Sequence, residues 1–266
     1  MNINKLEVTQ ESGQYLYVLC PYHDEKIASL CINKIEHSGK PKGYWHCFGC
    51  GKTGQISEEQ TDKLSKKKGY KTKSVPQEEL FRQTIVNLSG VLDKDYPGDL
   101  IYKGSSAQYL IGWDGLRWTA PMWNEKRRII GLQTRTRKGT KWNIPGSKLG
   151  LFLPVESVPI TDIIYICEGL TDTLVAAHCT GMTSIGLPSA NSGHEMVRDY
   201  FKKIDFKGDI VIVGDKDEAG RKSVRKLCSL LDKFSGWVRW PMSFKDLREY
   251  YETRGFEKTK GWLKPY

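Results

Sequence analysis

Two short pairs of metal-ligand residues constrain this chain more than anything else in it. Cys20-Pro21-Tyr22-His23 and Cys47-Phe48-Gly49-Cys50 are C-x2-H and C-x2-C pairs, each compact enough for one tight turn to aim both side chains at a single ion. Thiolate and imidazole are the donors zinc prefers. Four protein ligands leave no open coordination position, so the expected centre is structural rather than catalytic. Residues 1–54 are otherwise poor in apolar side chains and carry short alternating runs (YLYVL, SLCIN) with Gly/Pro punctuation, which predicts a small β-rich module. Its core is too small to fold without the metal. Cys31, in SLCIN, reads as a small core residue, and His46, adjacent to Cys47, points away from the knuckle. Among Tyr22, Tyr44, Trp45 and Phe48, core packing competes with stacking on unpaired bases, and at least half are expected in the core.

Charge makes a polyanion the first partner to consider. In 266 residues, Lys+Arg 41 stand against Asp+Glu 31, a net charge of +10. The excess is local: six lysines crowd KLSKKKGYKTK from Lys63 to Lys73. A second set, Lys126, Arg127, Arg128, Arg135, Arg137, Lys138, Lys141 and Lys148, has only Glu125 as an acidic neighbour. The 39% hydrophobic content is that of a globular chain. No stretch approaches the about 18 consecutive apolar residues of a membrane span. The N-terminus lacks the apolar region of a secretory signal, and seven cysteines cannot all pair, so a reducing cytoplasm is the expected compartment.

These features divide the chain into a zinc-binding ribbon (1–56), a lysine-rich flexible linker (57–77), a basic mixed α/β subdomain (78–157) and an α/β domain with a helical tail (158–266). The fold class is α+β and multi-domain. The basic subdomain shows a helical stretch (EELFRQTIVNLS) and strand-like runs YLIGWDG, LRWTAPMW, RIIGLQTR and KWNIPG. After Pro154, apolar strands IIYIC and DIVIV alternate with helical stretches around TDTLVAAHC, HEMVRDYFKKI and EAGRKSVRKLCSLLDKF, which predicts a mainly parallel sheet.

Carboxylates stand at the ends of those strands. Glu168 closes IIYIC with Asp172 one helical turn on, and Asp215 and Asp217 follow DIVIV. The carboxyl edge of a parallel sheet is where such folds build sites. Three carboxylates from two strand ends can hold Mg²⁺ or Mn²⁺ against phosphates. Helix capping competes for Asp172 and Glu218. It competes poorly for Asp215 and Asp217 together, because two close like charges call for a cation or solvent.

The motifs together carry a resemblance. E-G-x-x-D-x-L (Glu168 to Leu174) followed by G-D-x-D-x-A-G (Gly214 to Gly220) resembles the TOPRIM domain of primases, topoisomerases and some nucleases. The C-P-x-H and C-F-x-C-G knuckles ahead of it are similar to the zinc ribbon of the bacterial and phage DNA primase family. RRIIGLQTRTRKGTKWNIPGS is similar to the stretch lining that family's nucleotide and template groove, by position Arg135 and Lys141, with Arg137 and Lys148 beside them. Lys216 between the two acidic residues is a departure, and in the tail FKDLREYYETRGFEKTKGWL Asp246 reads first as a surface-helix residue and only second as a further acid of the site.

The resemblance implies synthesis of short RNA primers on single-stranded DNA, in a phage, plasmid or other mobile element. Structural Zn²⁺, catalytic Mg²⁺ or Mn²⁺, NTPs, a single-stranded template and a replicative helicase supplied in trans are the implied cofactors and partners. Glu168, Asp215 and Asp217 are the implied catalytic and magnesium-binding residues, with Asp172 supporting them. A metal-dependent TOPRIM nuclease and a non-catalytic zinc-dependent nucleic-acid-binding protein are the competing readings.

Overall fold

The computed structural model describes residues 6–265 apart from 13, 26, 27, 38, 67–74, 90–102, 115, 116, 137–139, 145, 157 and 158. The chain divides into two compact units, Met1–Pro76 with Lys141–Ser147, and Gln77–Thr140 with Lys148–Tyr266.

In the first unit, β1 (Val8–Ser12), β2 (Tyr15–Val18), β3 (Leu30–Asn33), β4 (Tyr44–Cys47) and β5 (Thr53–Gln55) form an antiparallel sheet in chain order. Registers place Leu16 beside Ile32 and Trp45, and Val18 beside Leu30 and Cys47. Period-2 alternation thus puts one face of β1 to β4 into a single small core, which Ile56 joins just beyond β5. Trp45 and Cys31 are buried, as expected of core residues, whereas Tyr22 stays exposed with its ring stacked on Trp45.

The segment read as a flexible linker begins as helix α1 (Glu58–Lys66). Ser57 and Gln60 exchange side-chain and backbone hydrogen bonds at 2.9 and 3.2 Å, a capping box that starts the helix. Thr61 and Leu64 are buried, and Leu64 joins Ile56 in the ribbon core. The lysines mask this apolar spacing in composition, which is why the segment reads as solvated. Much of the lysine run, residues 67–73, falls outside the described residues.

The second unit opens with α2 (Gln77–Ser89) and α3 (Lys103–Gln108), then β6 (Gly112–Trp113), β7 (Trp118–Trp123) and β8 (Ile129–Arg135), paired antiparallel in that order. Asn87 of α2 donates to Thr119 Oγ1 of β7 at 3.0 Å, in the buried layer beneath the helix. The short β9 (Lys141–Asn143) belongs to the second segment of the first unit.

From β10 (Ile163–Glu168) the chain alternates: α4 (Gly169–Thr180), β11 (Thr183–Leu187), α5 (His194–Lys203), β12 (Asp209–Val213), α6 (Glu218–Leu230), β13 (Gly236–Arg239), then α7 (Leu247–Arg254) and α8 (Phe256–Leu263). The four strands form a parallel sheet of order β11-β10-β12-β13. Both faces are covered, which explains the uninterrupted apolar runs. Tyr165, Cys167, Val211 and Val213 pack with Leu174 and Val175 of α4, while Ile164, Ile166, Ile210 and Ile212 pack with Val197 and Phe201 of α5 and Val224 and Leu227 of α6.

Backbone bridges Trp123 to Leu151 and Phe152 to Gly186 join the antiparallel strands to the parallel sheet. A Cβ on Gly186 would lie 2.4 Å from Thr173 Oγ1, so only glycine lets β11 sit this close to α4. The Tyr165 hydroxyl donates to the Leu263 carbonyl at 2.9 Å, tying α8 to the central strand. Among the described residues no helix is long and apolar enough to cross a membrane.

Candidate functional site

Cys20 lies just beyond β2, Cys47 ends β4 and Cys50 sits in the turn before β5. With His23 they bring four ligand atoms within 4.8 Å of one another. Cys20 and Cys50 Sγ are 3.8 Å apart, and Cys47 Sγ and His23 Nδ1 3.9 Å. A tetrahedron with bonds of about 2.3 Å has edges of about 3.8 Å, so the donor set fits zinc in both chemistry and spacing. Burial pushes the Cys20 thiol up to about 12. Burial raises Cys50 as well, but the Lys52 backbone N–H and contacts with Cys47, Cys20 and His23 override it and bring that thiol down to about 7. A Cβ on Gly49 would meet His23 Nε2 at 2.4 Å, so the second knuckle needs glycine to close over the imidazole. His46 turns to Phe48, which in turn lies 4.4 Å from Trp142 in the same unit.

A second set of polar side chains gathers at the carboxyl edge of the parallel sheet. Register pairs Glu168 with Leu187, and Cys167 with Leu187's neighbour Gly186 on one side and Val213 on the other. The turns after β10 and β12 therefore emerge side by side. Glu168 is the N-cap of α4, and Gly169, at φ 78, makes the turn. Asp172 is buried and accepts the Arg248 backbone N–H at 2.7 Å. Asp217 caps α6 through Gly220 N at 2.8 Å, and Asp246 caps α7 through Glu249 N at 2.8 Å. A Cβ on Gly220 would fall 2.3 Å from the Asp215 carbonyl, so that glycine sets how closely α6 approaches Asp215.

Asp215 records the crowding. Burial raises its carboxyl first, and the neighbouring charges of Asp172, Glu168, Asp246 and Asp217 raise it further, to about 8. Capping and site-building are not alternatives for Asp217 and Asp246: each spends one oxygen on a helix and still contributes charge at Asp215. Lys216 does not enter the cluster; its ammonium bonds the Met242 carbonyl and its N–H donates to the Lys245 carbonyl at 2.8 Å. Oxygen donors of this kind suit Mg²⁺ or Mn²⁺. Among the described residues only the Cys/His set draws three or more ligand atoms within 4.8 Å.

The basic candidates separate. Arg135 ends β8, buried, and lines a small cavity with Leu170 of α4, two residues beyond Glu168. Lys148 is exposed, its backbone N–H bonded to the Ile130 carbonyl at 2.9 Å. Lys141 is exposed on β9 in the first unit, and Arg137 lies outside the described residues. Glu25 and Ser29, beside the zinc ligands, have no counterpart in the sequence reading. No spacing rule marks a carboxylate two residues beyond a ligand.

Residues 3–71 match the family model described as a CHC2 zinc finger. A DNA primase of Helicobacter pylori is 42% identical over 45 residues, 17% of this chain. That match spans 7% of the relative's length. The fold of the whole chain is similar to the zinc-binding and RNA polymerase domains of the Aquifex aeolicus primase, with a TM-score of 0.51, 17% identity, and coverage of 99% of this chain and 82% of that one. The fold also matches a DnaG primase catalytic domain bound to single-stranded DNA, with a TM-score of 0.53, 13% identity, and coverage of 71% and 81%.

Proposed function

We propose that this protein is a DNA primase that makes short RNA primers on single-stranded DNA, with its chemistry at the TOPRIM-like carboxyl edge of the parallel sheet. The observation that carries the reading is the meeting of Glu168 and Asp215 at neighbouring strand ends, with Asp172, Asp217 and Asp246 near enough for their charges to raise the Asp215 carboxyl. Such a concentration of negative charge is unfavourable without a cation. Glu168, Asp215 and Asp217 would hold Mg²⁺ or Mn²⁺, with Asp172 supporting. The bound ion supplies charge neutralisation for phosphoryl transfer from an NTP. Asp172, fixed by the α7 backbone, holds its carboxylate toward Asp215 and sharpens the site's demand for a cation.

Arg135, with Arg137, Lys141 and Lys148, would grip phosphates of NTP or template, and the zinc-bearing unit would read the template. The division into ribbon, connecting segment, basic subdomain and TOPRIM domain assigns one task to each. A replicative helicase acting in trans is part of this reading. Its support is the primase-like fold joined to a CHC2 zinc finger.

The test is a denaturing gel of products from the purified protein, single-stranded DNA, Mg²⁺ and labelled NTPs, run beside Asp215→Asn. Short labelled oligomers that vanish in the variant are the expected result. Shortened DNA without new oligomers would replace the reading with a nuclease, and binding alone with a non-catalytic protein.

A further inference from the structure

Glu25 sits against the zinc set without belonging to it. Its Oε2 lies 2.9 Å from His23 Nε2, and its side chain is 10% exposed. The same carboxylate accepts the backbone N–H of Cys20 at 2.6 Å and that of Ser29 at 3.0 Å through Oε1. The Ser29 hydroxyl contacts Glu25 Oε2 and lies 3.2 Å from Cys47 Sγ. A carboxylate only accepts hydrogen bonds, so Nε2 must carry the imidazole proton in this pairing. That leaves Nδ1 with its lone pair, and Nδ1 is the nitrogen that faces Cys47 Sγ at 3.9 Å.

We propose that Glu25 is the positioning residue of the zinc centre: it fixes His23 as an Nδ1 ligand and, through Cys20 N and Ser29, locks both knuckles in binding geometry. Three consequences follow from the bonds. The imidazole cannot rotate to present Nε2 without losing its acceptor. The negative charge on Glu25 makes Nδ1 a stronger donor. Ser29 links the carboxylate to the chain entering β3, so the first knuckle and the Cys47 thiol are held by one polar cluster. A neutral side chain at position 25 removes the charge and the two-sided acceptance together.

The experiment is zinc competition with a chromophoric chelator on the full chain, comparing the parent, Glu25→Gln, Glu25→Ala and Glu25→Asp, with Ser29→Ala alongside. Outer partners of metal-bound histidines typically account for about 10- to 100-fold in affinity. Glu25→Gln and Glu25→Ala are expected to lose that much, with partial recovery in Glu25→Asp. Two-dimensional ¹⁵N NMR of the zinc-loaded chain gives a readout that general loosening would not move: His23 bound through Nδ1 with a protonated Nε2 in the parent, and a mixture of ligating nitrogens in Glu25→Gln. If Glu25→Ala fails to fold, Glu25→Gln, nearly the same in shape, decides. Zinc affinity within threefold of the parent in Glu25→Gln, or His23 bound through Nε2 in the parent, would overturn the proposal. Neither measurement uses primer synthesis, so the outcome is independent of the functional reading above.

Discussion

At the scale of single residues, Asp215 makes a pH-dependent statement. Its carboxyl titrates near 8 in the folded chain, raised by burial and neighbouring carboxylates, against about 3.9 in an unfolded one. Between those values the native state binds the extra proton, so this group's contribution to stability is full below about pH 4. It falls as pH rises towards about 8, and is flat above that. Thermal melts of the zinc-loaded protein without Mg²⁺ or Mn²⁺, from pH 5 to 9, are expected to show this decline, and Asp215→Asn to remove it and raise the melting temperature at pH 8. A pH-independent difference between the two proteins would contradict it. The zinc ligands were legible because C-x2-H and C-x2-C are local geometry. Asp215 was legible as one of several strand-end acids, but its burial was not, because that depends on how the elements around it pack. Glu25 was illegible for the same reason: its partners converge through turns that no linear spacing encodes.

At the scale of elements, α1 shows how composition hides packing. Its lysines made the segment read as linker, yet the Ser57–Gln60 capping box and buried Leu64 attach it to the ribbon core. Leu64→Ala removes a fully buried side chain from a small core, at a cost of about 2–5 kcal/mol. Earlier loss of the ribbon's aromatic near-ultraviolet signal on heating the zinc-loaded chain is the expected outcome; an unchanged transition would mean that α1 is an appendage. Strands β10 and β12 were plain in IIYIC and DIVIV. The sequence reading did not name β11 or β13: TSIGL mixes small polar residues with a glycine that α4 requires, and GWVR alternates half-exposed with exposed positions. Their identity rests on tertiary pairing with the two obvious strands.

At the scale of the whole molecule, the charge of +10 coexists with a site built from acids. If single-stranded DNA is held by phosphate contacts, log affinity should fall linearly with log salt, by about 0.7 per phosphate neutralised. Titrations of labelled oligonucleotide from 50 to 300 mM salt are expected to give a slope of several units, made shallower by about 0.7 in Lys148→Ala. A salt-independent affinity would show that bases, not backbone, carry the binding. The α+β class, with a β-rich ribbon ahead of a mainly parallel sheet, was readable from cysteine spacing and alternating apolar runs. The bridges through Trp123, Leu151, Phe152 and Gly186, which join antiparallel and parallel strands into one unit, are long-range pairings without a local signature.

The bond between Tyr165 and the Leu263 carbonyl spans 98 residues of sequence. On a ribosome adding about 5–20 residues per second, β10 would wait roughly 5–20 s for that partner to emerge. During this interval α4 already covers Tyr165 and Cys167, and α5 and α6 then cover Ile164 and Ile166, but the Tyr165 hydroxyl stays without the acceptor that α8 brings. The parallel unit therefore completes its core only once α8 has emerged, whereas the ribbon, whose antiparallel neighbours follow one another in the chain, can close once the chain has passed Leu64 and a zinc ion is available.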